Sequence, residues 1–129
     1  MPGVIIDTSV WVDYLRGARN ARTDAADRLL ENGQAAVCGV IEAELEAGLR
    51  NRTEREDLMS LLEGCDYLEA SRADWRRAGV LARQLKDRGR TLPLSDLVVA
   101  ALAIDRDCAL LTADSHFTRI PGVKLFPPS

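Results

Sequence analysis

Apolar runs too short for helices alternate with longer stretches of helical period along nearly all of this 129-residue chain. Val4-Ile5-Ile6, residues 35–38 and residues 109–112 carry consecutive small or branched apolar side chains with no polar alternation. Such runs fit strands covered on both faces, as in a parallel sheet. Between them, Thr8 or Ser9 caps a predicted helix through Gly17, with Trp11, Val12 and Leu15 inward and Asp13 and Arg16 outward. Helical spacing recurs over 22–32, ending at Asn32-Gly33, and again over 40–50. Thr53 with Glu56 reads as a capping box that starts a helix on Leu58, Met59, Leu61 and Leu62. After a short strand at Tyr67-Leu68, Ser71 with Asp74 opens a helix to about residue 88, turning Trp75, Ala78, Leu81, Ala82 and Leu85 to one side. An apolar helix at 95–105, a turn at 115–119 and a closing strand at 123–126 complete the pattern. Strands separated by helices need crossover connections, which gives a three-layer α/β/α domain with a short, mostly parallel central sheet. Neither a repeat nor a linker interrupts residues 1–129, so they read as one domain, long enough to bury a core.

In open sheets of this kind, ligands bind outside the carboxyl ends of the strands. Two acids fall there: Asp7 ends the run Val4-Ile5-Ile6, and Asp114 follows Leu110-Leu111-Thr112. Two more sit on apolar helices. Asp96 opens the run Leu97–Leu102, and Glu44 follows Gly39-Val40-Ile41. Neither lysine nor arginine is adjacent to any of the four. Carboxylates in or beside a core need something cationic to meet them. Gathered together, they form an oxygen-only pocket suited to a hard divalent cation. Each alone has a plainer reading. Asp7 helps cap a helix, Ser95 or Asp96 is an N-cap, Asp114 is a turn residue and Glu44 an ordinary helix acid. Helix phase selects among the glutamates: at about 100° per residue Glu44 lies beside Ile41, Leu45 and Gly48, whereas Glu42 and Glu46 face solvent.

Composition removes several other classes. Aromatics make up only 5% of the chain, too few for a stacking platform along single-stranded nucleic acid. Setting the four acids aside moves the net charge from −3 to +1, so charge excludes neither acidic partners nor nucleic acid. Cys38, Cys65 and Cys108 are odd in number and widely spaced, and read as buried thiols rather than a disulfide frame or zinc site. His116 is the only histidine and reads as a packing or surface residue. The Met1-Pro2-Gly3 start lacks a basic leader, and no apolar stretch approaches the roughly 20 residues of a membrane span. Arg16, Arg19 and Arg22, then Arg50, Arg52 and Arg55, then Arg83, Lys86, Arg88 and Arg90 form three basic groups, each a solvated face or a set of phosphate contacts.

Four segments in order carry a family resemblance. Val4-Ile5-Ile6-Asp7-Thr8-Ser9 with Trp11-Val12 resembles the opening of PIN domains, particularly the VapC-type toxins of bacterial toxin–antitoxin pairs. Glu44-Leu45-Glu46-Ala47-Gly48-Leu49 and Leu94-Ser95-Asp96 resemble that family's second and third acidic motifs. Leu111-Thr112-Ala113-Asp114-Ser115-His116-Phe117 with Ile120-Pro121-Gly122 resembles its closing one. The resemblance implies a Mg²⁺- or Mn²⁺-dependent endoribonuclease whose metal ligands are Asp7, Asp96 and Asp114. Glu44 is then the fourth catalytic acid, binding through water or orienting the nucleophile. Thr8, Ser9 and Thr112 orient carboxylates or waters, although Thr8 also reads as a helix cap and Thr112 as a strand residue. It further implies a cognate antitoxin protein, an RNA substrate, a homodimer, operator DNA reached only through the antitoxin, and a cytoplasmic, membrane-free setting. Leu58, Met59, Leu61 and Leu62, with Trp11, Tyr14 and Leu15, read first as core, and the resemblance implies that part of this apolar surface receives the antitoxin and part makes the homodimer. A second reading is a PIN-fold binding partner in a DNA-binding complex with little nuclease activity. A phospho-receiver domain would need an adjacent acid pair after the first strand, and Asp7 stands alone there.

Overall fold

Four parallel strands in the order β3-β2-β1-β4 form the centre of the computed structural model, which describes residues 3–127. They are β1 (Val4–Ile6), β2 (Ala35–Cys38), β3 (Asp66–Leu68) and β4 (Ala109–Leu111). β1 pairs Val4 with Ala35 on one side and Ile5 with Leu110 on the other. All residues of β1 and β2 are buried, as expected for strands bonded on both edges and covered on both faces. The covering helices are α1 (Thr8–Leu15), α2 (Ala21–Glu31), α3 (Gly39–Ala47), α4 (Arg52–Leu62), α5 (Arg72–Asp87) and α6 (Leu94–Asp105). The α/β/α architecture expected from the alternation is the one observed.

Local chemistry sets the helix ends. Asn20 accepts from the Thr23 amide and Thr23 answers at the Asn20 amide, so α2 starts a residue earlier than its apolar spacing indicated. The expected Thr53–Glu56 box does not form. Asn51 caps α4 by accepting from the Glu54 amide, while Glu54 accepts from the Arg50 amide and side chain. The Ser71–Asp74 box does form. Trp75, however, is 50% exposed rather than inward. The inward stripe of α5 is Asp74, Ala78, Leu81 and Leu85, and the aspartate holds its place through Arg106 at the end of α6.

At the chain's end, residues 123–126 form no ladder. Leu125 makes one isolated bridge to Leu110, and Pro127 removes the next donor. β4 stops at Leu111 because Thr112 leaves the sheet to hydrogen-bond Asp7. Cys38, Cys65 and Cys108 are unpaired, with Cys65 half-buried rather than buried. Among the described residues, no helix is long and apolar enough to cross a membrane. Met1 and Pro2, part of the start read above for a leader, lie outside the described residues.

Candidate acidic site

Asp7 leaves the buried end of β1 with its amide donated to the Leu111 carbonyl at 2.9 Å, which ties the carboxyl ends of β1 and β4 together. It occupies the N-cap position of α1, but its side chain caps nothing. Instead Oδ2 accepts from Ser9 Oγ at 2.9 Å and from Thr112 Oγ1 at 2.8 Å. The same two hydroxyls accept the amides of Ala113 and Asp114, at 3.2 and 3.0 Å. Two short side chains thus stitch the loop after β4 to the loop after β1. Asp7 is 6% exposed and has no lysine or arginine partner among the described residues. The helix-cap reading of Asp7 therefore describes its backbone only.

Asp96 stands in the first turn of α6 behind Pro93, and no side chain caps that helix, so neither Ser95 nor Asp96 is the cap. Its Oδ2 lies 2.8 Å from Nε2 of His116. The other ring nitrogen, Nδ1, lies 3.2 Å from Oδ1 of Asp114. Asp114 itself is exposed and enters the 3₁₀ turn Ser115–Arg119, which Phe117 anchors in the core. Burial pushes the Asp96 carboxyl above its ordinary range; the His116 hydrogen bond opposes this, and the charges of Asp7 and Asp114 reinforce it.

Glu44 is exposed, not buried as its phase suggested. Ile41 and Leu45 take the inward positions of α3, and Glu44 rides at the rim. It joins the site because Thr8 Oγ1 donates to its Oε1 at 2.8 Å, so Thr8 serves Glu44 rather than a helix end. Glu46 pairs with Arg55 at 3.7 Å and Glu42 is half-buried, not solvent-facing; neither is hydrogen-bonded to the site residues.

All seven residues singled out in the sequence are hydrogen-bonded at the carboxyl edge of the sheet, in three groups: Asp7 with Ser9, Thr112 and the Asp114 amide, Thr8 with Glu44, and Asp96 with His116. His116 is the member that sequence reading set aside. Its signal was its position two residues after an acid in a tight turn. Donor atoms of Asp96, Asp114 and His116 all lie within 4.8 Å of one another, a compact group that does not include Asp7. Carboxylate oxygens with one imidazole, and no competing lysine or arginine, fit a divalent cation. A cavity of about 920 Å³ opens beside Leu49, after α3, and Met59 on α4, and none of the four acids lines it.

An α/β/α sheet with acids gathered at its carboxyl edge defines a class, and comparison with known proteins supplies the family. The PIN domain model matches residues 4–123. Ribonuclease VapC11 of Mycobacterium tuberculosis is 30% identical over 124 residues, covering 93% of this chain and 92% of that protein. Ribonuclease VapC10 of the same organism is 31% identical over 126 residues, with 97% and 92% covered. The fold matches a chain of the crystal structure of VapBC2 from Rickettsia felis bound to a DNA fragment from their promoter. The TM-score is 0.80 at 20% identity, over 95% of this chain and 96% of that one. The chain belongs to the PIN-domain family.

Proposed function

We propose that this chain is a Mg²⁺- or Mn²⁺-dependent endoribonuclease and the toxin of a toxin–antitoxin pair. The observation that carries the reading is the gathering of four acids from four separate segments at the carboxyl edge of the sheet, with no lysine or arginine paired to them among the described residues. Relatives that are named ribonucleases supply the substrate class. Asp7, Asp96 and Asp114 would hold the ion and Glu44 would act beside them. When bound, the ion neutralises charge on the scissile phosphate and makes a water more acidic.

The chain's own residues do the positioning. Ser9 and Thr112 both donate to Oδ2 of Asp7, which leaves Oδ1 as the oxygen that would serve the ion. Thr8 donates to one oxygen of Glu44, which in this reading would accept a proton from an attacking water. Arg50, Arg52 and Arg55 are each paired with Glu54, Glu56 and Glu46, so their group is locally neutralised. Arg16, Arg19 and Arg22, none of them in an ion pair among the described residues, would be the better phosphate contacts.

In this reading the chain acts as a single cytoplasmic PIN domain that pairs as a homodimer and reaches operator DNA only through its antitoxin. Trp11 and Leu58 are core residues, so the antitoxin surface reduces to exposed parts such as Met59, 41% exposed beside the large cavity.

Two measurements test the proposal. RNA incubated with the purified chain is expected to be cut when Mg²⁺ or Mn²⁺ is added and left whole in chelator; RNA left whole at saturating metal overturns the enzyme reading. Metal is also expected to raise the melting temperature, because an ion at 100 times its Kd stabilises the native state by about 2.7 kcal/mol. A melt unmoved by millimolar Mn²⁺ argues against a shared pocket. Thr112→Val removes a hydroxyl that orients Asp7 and the Asp114 loop. Its cleavage rate is expected to fall on the order of 10–100-fold, while the fold is retained on a thermal melt.

A further inference from the structure

We infer that His116 coordinates the cation through Nε2 while Asp114 holds its other ring nitrogen, an inference that rests on reading the acidic edge as a divalent-metal site. The turn that carries the ring is fixed from both ends. Thr112 accepts the Asp114 amide at 3.0 Å, and Phe117 is buried in the core with its ring centroid 5.1 Å from that of His116. The imidazole is therefore held between two carboxylates rather than free to sample solvent.

Its two nitrogens have different surroundings. Nε2 lies 2.8 Å from Oδ2 of Asp96, close to the separation of about 3 Å between neighbouring ligands on an octahedral ion with bonds near 2.1 Å. Nδ1 faces Oδ1 of Asp114 at 3.2 Å. A metal-bound histidine almost always donates its second N–H to a carboxylate, which fixes the tautomer and the ring plane. Asp114 has the position of that carboxylate. Asp96 and His116 then hold the ion directly, and Asp114 acts on it through the ring, in place of the direct-ligand role given to it above.

The chemical consequence is selectivity. Mg²⁺ sites are built from carboxylates and water, whereas imidazole favours transition metals, so a mixed set shifts preference from Mg²⁺ toward Mn²⁺. Pulsed electron paramagnetic resonance on Mn²⁺ bound to the full chain is expected to show a directly coordinated imidazole nitrogen. In His116→Gln that signal is expected to vanish. Mn²⁺ affinity should then fall on the order of 10–100-fold by calorimetry, and Mg²⁺ affinity should change much less. Mn²⁺ bound by the wild type without coordinated nitrogen overturns the inference and leaves the acidic site standing. So does a Mn²⁺-to-Mg²⁺ preference unchanged in the variant. A chain that binds neither ion overturns both.

Discussion

Asp7→Asn is expected to lower RNA cleavage on the order of 10³-fold, beyond the 10–100-fold typical of groups that only orient a ligand. The fold is expected to survive. Asparagine keeps the shape of the side chain, and the hydroxyls of Ser9 and Thr112 can turn to suit its amide. What is lost is a nearly buried negative charge that no lysine or arginine balances. Removing an unbalanced charge beside Asp96 and Asp114 relieves repulsion, so the metal-free melting temperature should stay level or rise. The rise on adding Mn²⁺ should shrink. This split, activity lost while metal-free stability is kept, marks a residue held for function at the expense of stability. The measurement is a pair of melts, in chelator and in Mn²⁺, alongside cleavage of the same RNA. A variant that unfolds in chelator would make Asp7 a structural hub, and one that still cleaves at the wild-type rate would remove it from the site.

The central strands were legible because burial on both faces leaves an unmistakable apolar run, as in Val4-Ile5-Ile6. The gathering of Asp7 and Asp114 was legible from strand direction alone, since both follow a strand's carboxyl end. Glu44 was found by helix phase, but for a reason that phase does not contain: it stands at the rim over Thr8, and a partner thirty-six residues away leaves no periodic trace. His116 was missed for a similar cause. Its two contacts lie on Asp96, twenty residues back, and on Asp114 in its own turn, and a lone histidine carries no pattern. The misread face of α5 is the clearest case. Apolar spacing assigned Trp75 inward because a charged residue is a poor candidate for a core position. Asp74 takes that position only because Arg106, far along the chain, comes to meet it.

That ion pair sets a large expected effect on stability. Arg106 donates from Nη1 to Oδ1 and from Nη2 to Oδ2 of Asp74, both at 2.9 Å, and from Nη2 to the Glu69 carbonyl at 2.8 Å. One guanidinium thereby joins the end of α6, the start of α5 and the chain leaving β3. Asp74 is 1% exposed, and its Oδ2 also accepts the amide and hydroxyl of Ser71. Arg106→Met strands a buried carboxylate, a change that costs about 3–5 kcal/mol in general. The Ser71 donors remain, which places the expected loss near the lower end, about 3 kcal/mol, or a fall in Tm of about 10 °C for a chain of this size. The pH dependence follows from the same contact. The guanidinium, with help from Ser71 and against burial, holds the Asp74 carboxyl well below the usual carboxylate range. A depressed carboxylate contributes stability that is fully present above its unfolded value of about 3.9 and is lost as pH falls below it. Wild type should therefore lose stability steeply below about pH 4, and Arg106→Met should show a shallower acid limb from a lower plateau. Combining Asp74→Leu with Arg106→Met is expected to recover part of the loss, because an apolar pair leaves no charge stranded, although the Ser71 box is gone. Denaturant melts of the four chains at pH 7, and at about pH 2.5 where the contribution is being lost, measure the coupling. A single-mutant loss under about 1 kcal/mol would class the pair with ordinary surface ion pairs, and the buried aspartate of α5 would then need another partner.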